Sequence, residues 1–318
     1  MKHTDLNLPP ALALMGPTAS GKSRLAVELA QALDGEIISV DSALVFKGMD
    51  IGTAKPTLEE RQGVPHHLID ILDPAESYST GRFQRDALCL MQDITRRGRL
   101  PILAGGTMLY FHGLIHGLSC LPPADEAIRR QIEDEAARHG WAFLHTELAR
   151  VDPASAIRIH PNDPQRIQRA LEVFRASGRT LTEHFQANST ATPAFRIQRI
   201  ILEPASRESL HQRIRMRLIT MFEQGFVGEV RRLQARGDLH RDMPSMRAVG
   251  YRQVLDHLDG MYNSEELLER AVIATRQFAK RQMTWLRRED GARRYVAEDS
   301  RVLTQVLADI RADRHSTP

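Results

Sequence analysis

Four consecutive apolar positions, Leu12 to Met15, run into a glycine, which reads as a short strand covered on both faces. From Arg24 to Leu33 the spacing becomes helical, with Leu25, Ala26, Leu29 and Leu33 on one face. "EIISV" (Glu36 to Val40) predicts a second strand that stops at Asp41-Ser42. "LPILAGG" (Leu100 to Gly106) predicts another, closing on paired glycines and Thr107. Strands alternating with helices predict an α/β fold, a parallel sheet with helices on both faces. Ligands of such sheets bind at the carboxyl ends of the strands, where the first glycine loop, Asp41 and Gly105-Gly106 fall.

The pattern changes near Ile115. "LPPADEAIRRQIEDEAARHG" predicts a charged helix with Asp125 as cap. In "HPNDPQRIQRALEVFRASG" Asp163 caps, Pro164 opens the helix, Ile167, Ala170, Leu171 and Phe174 form its stripe, and Gly178 stops it. No strand pattern interrupts this stretch, so residues 115–193 read as a mostly helical insertion into a core of residues 1–114 and 194–318. "IQRIILEP" (Ile197 to Pro204) reads as a returning strand. The remainder reads as helical, with the last dozen residues a loose tail.

Composition narrows the classes. The chain has 318 residues, 42% hydrophobic and 26% charged, as in an ordinary globular protein. It shows no membrane-length apolar run and no signal-peptide pattern. Cys89 and Cys120 are its two cysteines, without metal spacing, so a reduced cytoplasmic setting is expected. Net charge is only +3, yet Ala205 to Arg288 carries 16 Lys and Arg against 10 Asp and Glu. Arginine dominates that surplus and suits planar contacts to phosphate.

The candidate chemistry begins at Gly16-Pro17-Thr18-Ala19-Ser20-Gly21-Lys22-Ser23, which fits GxxxxGK[ST] between a strand and a helix. Its backbone N–H groups can cradle phosphate, Lys22 adds a positive charge, and the Ser23 hydroxyl can ligate Mg²⁺. Asp41 ends the neighbouring strand as a metal-shell carboxylate, a general base or a plain turn residue. The long aperiodic stretch after it reads as a binding loop. His66 and His67 are read as structural, having no metal-ligand spacing around them.

"GPTASGKS", "ISVDSALVFKGMDIGTAKPT", "PHHLIDI", "AGGTMLY", "NDPQRIQRALEV", "RAVGYRQ" and "TRQFAKRQMTWLR" occur in this order. Together they resemble the bacterial tRNA dimethylallyltransferases, also called tRNA isopentenyltransferases, from Leu12 to Arg287. The loop is shared by many nucleotide-binding families, whereas the second and last motifs are specific to this one. The zinc-finger extension of eukaryotic relatives is not seen. The resemblance implies a P-loop NTPase-like core and transfer of the dimethylallyl group of dimethylallyl diphosphate to N6 of a tRNA adenosine. That adenosine lies directly 3′ of the anticodon, in tRNAs reading codons that begin with U.

Carried over residue by residue, the resemblance places the diphosphate on the loop, Lys22 and Arg217, with Mg²⁺ on Ser23. It makes Asp41 the base for N6, and Thr18 a hydrogen-bond donor near the bridging oxygen or Asp41. The tRNA anticodon stem-loop is expected on Asp41, Ser42, Ala43 and Leu44, and on Gln165, Arg166, Ile167, Gln168 and Arg169. A further surface is Arg247, Ala248, Val249, Gly250, Tyr251 and Arg252, with Tyr251 interleaving two guanidinium groups. The last is a basic stripe of Arg276, Lys280 and Arg287 beside Trp285, together with Arg281, Gln282, Met283, Thr284 and Leu286. Thr107 and Arg129 are weaker candidates. A monomer is expected. A P-loop kinase or ATPase would leave the basic helices without work. A non-catalytic RNA-binding module would not need Lys22 or Asp41.

Overall fold

The computed structural model describes residues 8–119, 121–187 and 194–315. The chain starts with β1 (Pro10–Met15), α1 (Lys22–Leu33) and β2 (Gly35–Val40). There follow α2 (Leu58–Arg61), β3 (His66–His67), α3 (Thr80–Arg96), β4 (Leu100–Gly105) and α4 (Met108–His116). A helical run comes next: α5 (Glu126–His139), α6 (Trp141–Val151), α7 (Pro153–Arg158), α8 (Pro164–Ser177) and α9 (Leu181–Ala187). The chain ends with β5 (Arg196–Glu203), α10 (Arg207–Glu223), α11 (Phe226–Gln234), α12 (Tyr251–Leu258), α13 (Ser264–Leu286), β6 (Arg293–Val296) and α14 (Val302–His315). Two compact units result, Met1–Ile115 with Pro193–Pro318, and His116–Thr192.

In the first unit all six strands are parallel, in the order β3-β2-β4-β1-β5-β6. The apolar run of β1 is used on both faces, because side chains alternate along a strand. Leu12 and Leu14 pack with Leu25 and Leu29 of α1 and Val306 and Ile310 of α14. Ala13 and Met15 pack with Phe83 and Met91 of α3 and Phe111 of α4. Gly105 of β4 pairs with Met15 on one side and Val40 on the other, so three strand ends finish level. That register puts the glycine loop, Asp41 and Thr107 at one edge of the sheet. A third apolar cluster joins α10 to α13 with Val45, Phe46 and Met49 of the loop after β2.

The second unit has its own core of Ile132, Leu144, Leu148, Ile167, Ala170 and Leu171. Asp125 Oδ1 accepts from Ala127 N and Ile128 N, and Asp163 Oδ1 from Arg166 N, so both helices start at their expected caps. The chain end is not a loose tail: Val302 to His315 is helical, and Val302, Val306 and Ile310 are buried on the sheet. Among the described residues, no helix is long and apolar enough to cross a membrane.

Candidate active site

The level strand ends open into a cavity of about 430 Å³ in the first unit. Thr18, Ala19, Lys22 and Ser23 of the phosphate loop line it, with Asp41 to Leu44, Thr107, Arg217, Arg247 to Tyr251, Arg281 and Gln282. Ala19 holds a left-handed backbone (φ 60°), the kind of local strain that over-determined functional loops retain. Asp41 Oδ1 accepts from Ala43 N at 2.8 Å and Leu44 N at 3.4 Å, which fixes the carboxylate. The turn is tied down where Ser42 N donates to Thr107 Oγ1 at 3.0 Å and Thr107 N donates to Val40 O.

Positive charge converges opposite this carboxylate. Lys22 Nζ donates to Pro17 O at 3.0 Å. Burial and the nearby Arg217 push its ammonium down to about 8, partly offset by Asp41. Arg217 Nη2 reaches Thr53 O at 3.5 Å; burial lowers its pKa, opposed by Asp41 and Glu60. Desolvation works against both cations, and Arg217 further destabilises the Lys22 ammonium, so the pair favours binding of an anion. Sequence reasoning missed Arg213, one helical turn before Arg217. Its Nη2 lies over Gly21, where an added Cβ would come within 2.9 Å. The i,i+4 spacing within "RIRMR" is the signal that would have found it.

Gln282 does different work from an RNA contact. It is buried, its Oε1 accepts from Thr18 N at 2.8 Å, and its Nε2 donates to Gly106 O at 2.8 Å. The side chain thus clamps the phosphate loop to the end of β4. Gly106 has to be glycine here, because a Cβ would run into the Gln282 amide. The Thr18 N–H is consumed by this clamp, so an anion must be held by the amides further along the loop.

Several other candidates are also buried rather than presented at a surface. Tyr251 is 0% exposed and donates its hydroxyl to Glu229 at 2.5 Å, so it does not interleave the exposed Arg247 and Arg252. Leu286 packs in the sheet core, and Ile167 in the core of the second unit. Arg129 and Arg169 both bond Glu172, which is fully buried, and Arg169 also donates to Pro122 O. These two arginines brace the second unit. Gln168 bonds Glu133, while Gln165 and Arg166 are exposed at the start of α8, Arg166 beside Asp163.

On α13, Lys280 and Arg287 are exposed, and Arg276 is half-buried with its Nε unpartnered among the described residues. Trp285 is nine residues from Arg276, about half a turn around the helix at roughly 100° per residue, so it stands away from that stripe. Met283 packs against the apolar cluster, and Thr284 bonds back to Lys280 O. His66 and His67 are held by Val64 O and the buried Glu36. The apolar wall of Gly52, Thr53, Ala54, Leu218, Met221 and Phe278 was not singled out from sequence.

The donor set fits a hard divalent cation in part. Ser23 Oγ is exposed at the cavity, and Asp41 Oδ2 has no partner among the described residues. One hydroxyl and one carboxylate, completed by phosphate oxygens, is a common Mg²⁺ arrangement. No group of three or more His, Cys, Asp or Glu among the described residues could hold a metal alone.

Known proteins share this architecture. The family model described as IPP transferase matches residues 44–289. A tRNA dimethylallyltransferase of Methylococcus capsulatus is 62% identical over 285 residues, covering 90% of this chain and 91% of that protein. The full-length tRNA isopentenylpyrophosphate transferase of Bacillus halodurans superposes with TM-score 0.73 at 37% identity, over 98% of both chains. A eukaryotic dimethylallyltransferase acting on tRNA superposes with TM-score 0.81 at 29% identity, over 97% of this chain and 80% of that one.

Proposed function

The chain belongs to the IPP transferase family, and from that premise we propose that it moves a dimethylallyl group from dimethylallyl diphosphate to a tRNA adenosine. The acceptor is N6 of the adenosine directly 3′ of the anticodon in tRNAs reading codons that begin with U. The observation that carries this reading is one cavity shared by a phosphate loop, a fixed carboxylate and an apolar wall. A phosphate loop alone suits many reactions. An isoprenoid donor needs the apolar wall as well, and an amine acceptor needs the base.

The chemistry follows from charge. Breaking the allylic C1–O bond leaves negative charge on diphosphate, while the new bond forms between C1 and N6. Fixed donors aimed at developing charge are worth most in a dry site. The amides after Thr18, Lys22 and Arg217 would supply them, and the Thr18 hydroxyl would hydrogen-bond near the bridging oxygen. Ser23 would hold Mg²⁺, which when bound adds positive charge to the leaving group, and this leaves Asp41 Oδ2 for the proton. The N6 lone pair is delocalised into the purine, so transfer of its proton to Asp41 as the bond forms lowers the barrier. The base reaches the cavity by leaving its stack, past Ser42, Ala43 and Leu44. Arg247, Arg252, Lys280, Arg281 and Arg287, all exposed, supply phosphate contacts in the first unit. A monomer in a reduced cytoplasm, where its tRNA is found, suffices for this work.

Incubating the protein with labelled dimethylallyl diphosphate, Mg²⁺ and unmodified tRNA tests the proposal. Label should pass to tRNA with release of one diphosphate per transfer. ATP turnover without label in tRNA would favour the kinase reading instead.

A further inference from the structure

The loop after Asp41 turns three successive amides, Asp50 N, Ile51 N and Gly52 N, toward one point. Such a nest attracts an anion. Here the anion is a side chain of the protein itself. Glu229, in the first turn of α11, accepts from Asp50 N at 2.9 Å and Ile51 N at 2.8 Å on Oε2. Its Oε1 accepts from Gly52 N at 3.1 Å and from the Tyr251 hydroxyl at 2.5 Å. Glu229 is only 2% exposed, and it is absent from the cavity lining. A carboxylate so buried persists as an anion only when its oxygens are saturated with donors. Four donors do this, and the amino terminus of α11 adds its dipole. Gly52 fits because a Cβ would strike the Phe226 and Tyr251 rings.

The consequence lies one residue further on. Gly52, Thr53 and Ala54 are cavity wall, and Thr53 O is the acceptor for Arg217 Nη2. We propose that Glu229 is a positioning residue for the isoprenoid diphosphate site: by filling the amide nest it sets Thr53 O, and through it the guanidinium of Arg217, at the height the leaving diphosphate needs. This rests on the assignment of Arg217 to diphosphate made above. It makes α11 and α12, which carry neither the phosphate loop nor Arg217, part of donor recognition.

The test is a double-mutant cycle on donor binding, read with dimethylallyl diphosphate and with inorganic diphosphate. Glu229→Gln keeps the size but aims an NH₂ at amide donors, and should weaken donor binding about tenfold, within the range of coupling between connected residues. Anticodon stem-loop affinity should stay within about twofold. In an Arg217→Ala background the same substitution should add little, because its route is gone. Tyr251→Phe, which removes one donor of the four and keeps the ring, should act in the same direction more weakly. It carries the cycle alone if Glu229→Gln does not fold. Amide exchange at residues 50 to 52 should quicken in step. Unchanged donor affinity, or an equal loss with and without Arg217, would overturn the proposal. Wild-type protein that neither binds dimethylallyl diphosphate nor prenylates tRNA would instead overturn the functional reading beneath it.

Discussion

At the scale of single residues, the site depends on side chains that do two things at once. Gln282 accepts from Thr18 N–H and donates to Gly106 C=O with one amide group. No aliphatic or acidic side chain can reproduce both bonds at neutral pH. Gln282→Leu leaves two interior backbone groups unpaired at about 1–3 kcal/mol each. It should lower the Tm and reduce kcat/KM for dimethylallyl diphosphate, with stem-loop affinity nearly unchanged in a binding titration. A residue that touched RNA would show the reverse. Lys22 gives a prediction in pH. Its ammonium is held down to about 8, so the free enzyme loses that charge as pH rises through this value. The protonated form is the one that attracts diphosphate. Donor kcat/KM should therefore fall above about pH 8, and Lys22→Ala should show a low plateau without that limb. For folding the sign is opposite. Between about 8 and the ordinary 10.5 the unfolded chain binds the extra proton, so the Lys22 contribution to stability improves as pH rises.

At the scale of elements, α13 presents different chemistry on different faces. Ala279, Gln282 and Leu286 face inward, while Lys280 and Arg287 project into solvent. Removing both charges should flatten the salt dependence of tRNA binding, by about 0.7–0.9 in log–log slope for each phosphate no longer neutralised. Trp285→Ala should leave that slope alone, because its ring lies around the helix from the stripe. Binding isotherms at several salt concentrations decide both. What the sequence could show of such elements depended on the length and purity of the pattern. β1, α1 and the Asp125 and Asp163 caps carry strong local signals and were legible. β3 has two residues, and β6 is the charged edge segment "RRYV", so neither has a pattern of its own. α14 has buried positions at 302, 306 and 310, but the charges at Asp309, Arg311, Asp313 and Arg314 make its second half read as a polar tail. In the site, the loop and Asp41 were legible because their chemistry is local. The burial of Tyr251 and the bond of Arg129 to Glu172 were not, since each depends on a partner distant in sequence.

At the scale of the whole molecule, the cavity is lined entirely from the first unit, and the second unit is braced independently around Glu172. Removing that fully buried carboxylate takes the shared acceptor from Arg129, Arg169 and Asp125 N, which loosens the second unit. The two tryptophans fall one in each unit, Trp141 and Trp285. In Glu172→Ala, the denaturant transition seen by Trp141 should move to lower concentration further than that seen by Trp285, each followed in a single-tryptophan variant.

The central claim is that one cavity holds the diphosphate on its loop and takes the N6 proton on Asp41. Asp41→Asn keeps size and one acceptor but cannot take up the proton, which isolates that role. The measurement is single-turnover transfer from dimethylallyl diphosphate to unmodified tRNA across a range of Mg²⁺ concentrations, with tRNA affinity measured separately. The account predicts a rate lowered by roughly 10²–10⁴-fold at every Mg²⁺ concentration, with tRNA still bound. Full recovery of the rate at high Mg²⁺ would contradict it and make Asp41 a metal ligand only.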